Sequence, residues 1–206
     1  MNDLLTTIIS YFNLAILAVG AQNAIFTRSL GISPGIKMLR DPRKNKMYFC
    51  LALTVFQVMT SVIVYFAAPL VDKFGFGVYK RFALPTIIVL ACTISYVVVI
   101  ILLSAVLSQG RFREIVQSVT GASINSAIVG TVILSQNYGL TLEESVVFGL
   151  GSSIGYFAAV MLISEADKKI CHARVPQAFK GLPITLIYIS VLALAVYGLT
   201  GHGLAL

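Results

Sequence analysis

Two asparagines set in matching phrases are the residues of this chain best suited to polar chemistry. Asn23 stands in Gly20-Ala21-Gln22-Asn23-Ala24-Ile25, and Asn125 in Gly121-Ala122-Ser123-Ile124-Asn125-Ser126-Ala127-Ile128. The two are 102 positions apart, about half of the 206 residues. Gln22, Asn23, Ser123 and Asn125 bring polar groups into stretches that otherwise read as membrane-spanning, where hydrocarbon cannot satisfy them. This points to a duplicated membrane protein with a polar site near the bilayer midplane, between its halves. Backbone carbonyls freed there could coordinate Na⁺, with both asparagines and nearby hydroxyls assisting.

The elements that must position these residues are apolar runs. Mean hydropathy is +0.92, with 58% hydrophobic and only 11% charged residues, whereas soluble domains run near 25% charged. Runs long enough to cross a bilayer cover roughly Leu4–Phe26, Met47–Val71, Ala83–Leu107, Ile115–Gln136, Ser145–Ile163 and Leu182–Leu206. None of the fifteen Lys/Arg or eight Asp/Glu falls inside them. The expected fold is an all-α integral membrane domain over 1–206, with six transmembrane helices in two three-helix halves, about 1–109 and 110–206. An odd number of spans per half makes the duplication an inverted repeat.

Each phrase lies where a helix would struggle. Gly20 and Gly121 weaken a helix by about 1 kcal/mol each relative to Ala, and irregular backbone at membrane depth survives only where protein or water covers it. Spans one and four are expected to be broken half-helices whose ends meet near the midplane. The competing reading makes the same small and amide residues a close-packing surface between helices. Past the first phrase, Gly31 and Pro34-Gly35 punctuate the chain, and Arg28 is expected to snorkel to the cytoplasmic face.

The net charge of +7 reflects topology, not nucleic acid. With six spans, connections one, three and five carry twelve basic residues: Arg28, Lys37, Arg40, Arg43, Lys44, Lys46, Arg111, Arg113, Lys168, Lys169, Arg174 and Lys180. Connections two and four carry three, Lys73, Lys80 and Arg81. The positive-inside rule then places both termini outside. A start of Met1-Asn2-Asp3 lacks the positive segment of a signal peptide, so the first run is expected to be retained.

Catalytic chemistry is poorly supplied. His172 and His202 stand alone, and no nucleophilic triad order, metal spacing or phosphate-cradling glycine loop occurs. Glu143-Glu144 suit a helix N-terminus better than a catalytic pair. Cys50, Cys92 and Cys171 make neither a disulfide framework nor a metal motif; the first two read as small apolar fillers. No acid or histidine lies within the first five runs, which disfavours a self-sufficient proton-coupled carrier.

Several phrases together carry a resemblance. Gln22-Asn23 through Leu30-Gly31-Ile32-Ser33-Pro34, Asn125-Ser126-Ala127-Ile128-Val129-Gly130, Glu144-Ser145-Val146-Val147-Phe148-Gly149 with Gly155, Val175-Pro176 through Phe179-Lys180-Gly181, and Tyr197-Gly198 through Gly201 resemble the Rnf/Nqr membrane-subunit family. The likeness runs the length of the chain and is nearest the branch that holds RnfA and NqrE. It implies a six-helix inverted repeat that pairs with an oppositely oriented paralogue. The pair sits inside an ion-pumping complex that passes electrons from NADH or ferredoxin through flavins and iron–sulfur centres. It also implies two cysteines per subunit, in patterns like Leu-Gly-x-Cys and Asn-Cys-Ala, so that two subunits hold one [2Fe–2S] cluster in the membrane.

At those two positions this chain has Ser33 and Ser126. Thiolate is the usual ligand of such a cluster, so no resident cofactor is expected unless it is ligated unusually or by a partner. Two readings stay open. One is a subunit of the electron-transfer complex, keeping its fold and partners (paralogue, flavoprotein subunits, membrane lipid). The other is a repurposed small-solute or cation transporter or scaffold, working as a homodimer without redox chemistry. In either, the expected place is the cytoplasmic membrane of a prokaryote.

Overall fold

The computed structural model describes residues 2–41, 45–73, 80–172 and 176–200. Arg43, Lys44, Arg174, Val175, Gly201, His202 and the end of the sixth apolar run lie outside the described residues, as do the side chains of Cys171 and His172. The described residues form eight α-helices and a single 3₁₀ turn, with no strand among them. The helices are α1 (Asn2–Val19), α2 (Ile32–Arg40), α3 (Lys46–Lys73), α4 (Lys80–Val106), α5 (Gln109–Ser123), α6 (Ser126–Asn137), α7 (Leu142–His172) and α8 (Leu182–Thr200). α1 and α2 have 18 and 9 residues, α3 and α4 have 28 and 27, α5 and α6 have 15 and 12, and α7 and α8 have 31 and 19.

Length and composition separate the elements. α3, α4, α7 and α8 are each long and apolar enough to cross a membrane, and α5 with α6, bent by 46° at their break, reaches that length and hydropathy only as a pair. The apolar part of α1, Leu5–Val19, is shorter than a full span. The first apolar run does not continue as helix to Phe26: α1 stops at Val19, and Gly20–Gly31 is a chain of turns. The fourth run also breaks, at Ile124-Asn125. Gly121, by contrast, lies within α5, because a helix interior tolerates one glycine at a modest cost.

Burial ranks the long helices. The apolar windows of α3 and α7 are 50% and 56% buried, against 22% for α4 and 11% for α8. α3 and α7 pack on each other at the centre; α1 lies along α7, and α5 lies along α3. α1 reaches α7 closely because two of its contact positions have no side chain. A Cβ on Gly151 would fall 2.7 Å from Ala15 O, and one on Gly155 would fall 2.8 Å from Val19 O. Glycines four apart that admit a neighbouring backbone are the common solution for helix contact in lipid, where apolar burial gives little drive.

α7 begins with a reciprocal cap. Glu144 Oε2 accepts from Thr141 N at 2.9 Å, and Glu144 N donates to Thr141 Oγ1 at 3.4 Å. This capping box, with Glu143 and Glu144 in the first turn, accounts for the placement of the acidic pair. Cys50 and Cys92 are buried and unpaired in α3 and α4.

Candidate functional site

Asn23 organises the first break. Its Nδ2 donates to Val19 O at 2.9 Å and to Gly155 O at 3.0 Å. Its Oδ1 accepts from Ile25 N at 3.0 Å and Phe26 N at 3.1 Å. One buried amide thus serves four backbone groups: the last carbonyl of α1, two amides of the turn segment and one carbonyl on α7. Backbone polar groups freed in an apolar surrounding must find such partners. The same segment carries Ser29 at φ 56° and Gly31 at φ 72°, left-handed conformations that allow the chain to turn into α2.

Asn125 organises the second. It is the N-cap of α6, its Oδ1 accepting from Ala127 N at 3.0 Å, the usual service of an amide at a helix start. Its Nδ2 donates to Tyr156 Oη at 3.3 Å, and that phenol donates to Gly31 O at 2.7 Å. Asn125 is fully buried, as is Tyr156 at 1% exposure.

The breaks touch. Gly31 N donates to Ser126 Oγ at 2.9 Å. A Cβ on Gly31 would fall 2.6 Å from Tyr156 Cε2 and 2.7 Å from Asn125 Oδ1. Leu30 lies over Gly130, where an added Cβ would be 2.2 Å from Leu30 Cδ1. The left-handed backbone and close contacts at 31 call for glycine, while a larger residue at 130 would require Leu30 to shift. On α7, Gly155 holds the first break through its carbonyl, and its neighbour Tyr156 bonds both breaks through its phenol.

The resemblance gives cluster ligation to positions 33 and 126, and Ser126 meets the junction through Gly31 N. Ser33 is in the first turn of α2 and Ser126 opens α6; both are exposed on the surface of the chain. Serine hydroxyls are poor substitutes for the thiolates that hold an iron–sulfur cluster, and Ser126 Oγ already accepts from Gly31 N. Cys50 and Cys92 are buried on α3 and α4, away from positions 33 and 126 in sequence. Among the described residues, the side chains at these two positions do not fit a [2Fe–2S] ligand set. No group of three or more His, Cys, Asp or Glu gathers in a metal-binding arrangement among the described residues.

Gln22 and Ser123 flank the junction but do not join it. Gln22 Oε1 accepts from Arg28 Nε at 3.1 Å and Nη2 at 2.6 Å, while Ser123 Oγ donates to Thr120 O at 3.0 Å. Sequence reasoning missed Tyr156 and Gly155 as members of the junction. The spacing Gly151-x-x-x-Gly155 was a visible signal for helix contact. Nothing local in the sequence marks the reach of Tyr156 to residues 31 and 125.

Comparison with known proteins agrees with the shared phrases. The family described as Rnf-Nqr subunit, membrane protein, matches residues 11–202. The relatives named next are each the A component of an ion-translocating oxidoreductase complex. That of Azoarcus sp. (strain BH72) is 28% identical over 183 residues, covering 87% of this chain and 91% of its own length. That of Syntrophotalea carbinolica is 27% identical over 196 residues, 92% of this chain and 97% of its own. That of Pasteurella multocida (strain Pm70) reaches 36% over 77 residues, 37% of this chain and 40% of its own. With nearly its whole length matched, the chain belongs to the Rnf-Nqr subunit family of membrane proteins.

Proposed function

We propose that this chain is a membrane subunit of an Rnf/Nqr-type ion-translocating oxidoreductase complex, and that it contributes no thiolate to a [2Fe–2S] cluster in the membrane. The observation that carries the first part is the family match over residues 11–202, with relatives aligned along 91% and 97% of their own length. The second part is supported by Ser33 and Ser126, both exposed, which stand where the resemblance implies ligand cysteines.

In this reading the α1–turn–α2 and α5–break–α6 segments are broken spans, and the chain is an inverted repeat of two three-span halves. Asn23 and Asn125 hold the breaks, with Gln22 and Ser123 as flanking polar groups. The exposed serines belong to the face that meets an oppositely oriented paralogue, since exposed polar groups and irregular backbone at membrane depth require protein cover. Both termini lie outside.

Gentle purification of the tagged chain from its own membrane tests the assignment. The expected result is that flavoprotein subunits and a paralogous membrane protein come with it. A colourless homodimer that moves solute in liposomes supports the repurposed transporter instead and ends the complex-bound reading.

A further inference from the structure

We propose that a seam between α3, α6 and α7 is a water-filled path, running from the surface near Glu143 and Glu144 to the Tyr156–Asn125 junction. Three helices turn polar stripes to this seam. α7 supplies Ser145, Gly149 and Ser152 on one face, leading to Tyr156; α3 supplies Gln57, Ser61 and Tyr65 at four-residue spacing; α6 supplies Thr131 and Ser135. The hydroxyls meet in pairs, Ser135 Oγ with Ser145 Oγ and Thr131 Oγ1 with Ser152 Oγ, each at 2.8 Å.

The independent sign of a guest lies between those pairs. Gln57 and Ser61 are 1% and 2% exposed, and Gln57 Nε2 and Ser61 Oγ have no hydrogen-bond partner among the described residues. Both lie beside Gly149: a Cβ there would be 3.5 Å from Ser61 Oγ and 3.8 Å from Gln57 Nε2. A buried donor left unpaired in a membrane protein is strongly unfavourable. The amide N–H needs an acceptor and the hydroxyl can either give or take, which water satisfies and a desolvated cation does not.

The outer end of the seam opens. Cavities of about 580 Å³ and 530 Å³ share Tyr65 and Thr141 as lining residues; Glu143 and Glu144 line the first, and Gln136, next to Ser135, lines the second. Both cavities thus reach Tyr65, one helical turn from Ser61. Beyond Tyr156, the same face of α7 continues with fully buried Ala159, where no hydroxyl extends the stripe.

Thiol accessibility in sealed vesicles tests the path. In a background with Cys50, Cys92 and Cys171 replaced by Ala, cysteine is placed at Ser145, Ser152 or Ala159. Aminoethyl methanethiosulfonate is then applied to the face carrying Glu143 and Glu144. Ser145→Cys and Ser152→Cys should react, and Ala159→Cys should not; in a double variant, prior modification at 145 should abolish reaction at 152. Ser152→Cys as inert as Ala159→Cys overturns the path. Thermal unfolding gives a second measure that needs no added thiol. Gln57→Leu should lower the unfolding midpoint, because the guest loses a partner. A raised midpoint shows that an unpaired donor was removed from a dry seam, and overturns the proposal.

Discussion

Asn23 and Gly155 are 132 residues apart in sequence, yet the Asn23 side-chain amide donates to the Gly155 carbonyl at 3.0 Å. The bond ties the first broken element to α7, one of the two central helices. The next residue on that helix, Tyr156, donates to Gly31 O and receives from Asn125. Two breaks that are distant in the chain therefore share one turn of α7, and displacement of that turn acts on both.

The first prediction concerns the asparagines themselves. Asn23→Leu strips partners from four backbone groups, and Asn125→Leu removes the cap of α6 and the partner of Tyr156. Each buried group left unsatisfied costs about 1–3 kcal/mol. Asn23→Leu should therefore lower the thermal midpoint in detergent more than Asn125→Leu does. Equal, negligible shifts would remove the capping role from both.

Gly31→Ala combines left-handed strain with contact against Tyr156 and Asn125. Gly139 has a similar φ of 63° but nothing within 4 Å of an added Cβ. Gly139→Ala should cost about 1–2 kcal/mol from backbone strain alone, and Gly31→Ala clearly more, read as unfolding midpoints of the two purified variants.

Gly155→Ala drives a methyl group to 2.8 Å from Val19 O, so α1 must move off α7. Gly110→Ala meets nothing within 4 Å and should be neutral or stabilising by up to about 1 kcal/mol. Limited proteolysis near α1 should rise in the first variant only.

Topology is open to a reporter test. The twelve-to-three distribution of basic residues across alternate connections predicts that a C-terminal fusion reports from outside and an insertion between α2 and α3 from inside. The opposite pattern would invert the orientation assigned above.

The breaks were legible in the sequence because amides and glycines in an apolar run have few other uses. Asn23 and Asn125 each stand at one. The two breaks differ in size for reasons held elsewhere in the chain. The first needs twelve residues of turns, from Gly20 to Gly31, because Leu30 must reach Gly130 and Gly31 must reach Ser126. Such long-range docking leaves no periodic trace. The capping box at Thr141-x-x-Glu144 was readable locally, whereas the role of Tyr156 was not: an aromatic in a span is ordinary core until its hydroxyl finds a partner. Gln57 was a visible amide in an apolar run, but its lack of a partner emerges only in three dimensions.

Whether this chain ligates iron is decided most directly by low-temperature electron paramagnetic resonance of the anaerobically purified, dithionite-reduced complex. Wild type is compared with Ser33→Ala/Ser126→Ala. The same spectrum is expected from both if, as proposed, neither serine holds iron. A [2Fe–2S] signal that is present in the wild type and lost in the double variant, with the complex still assembled, would contradict this.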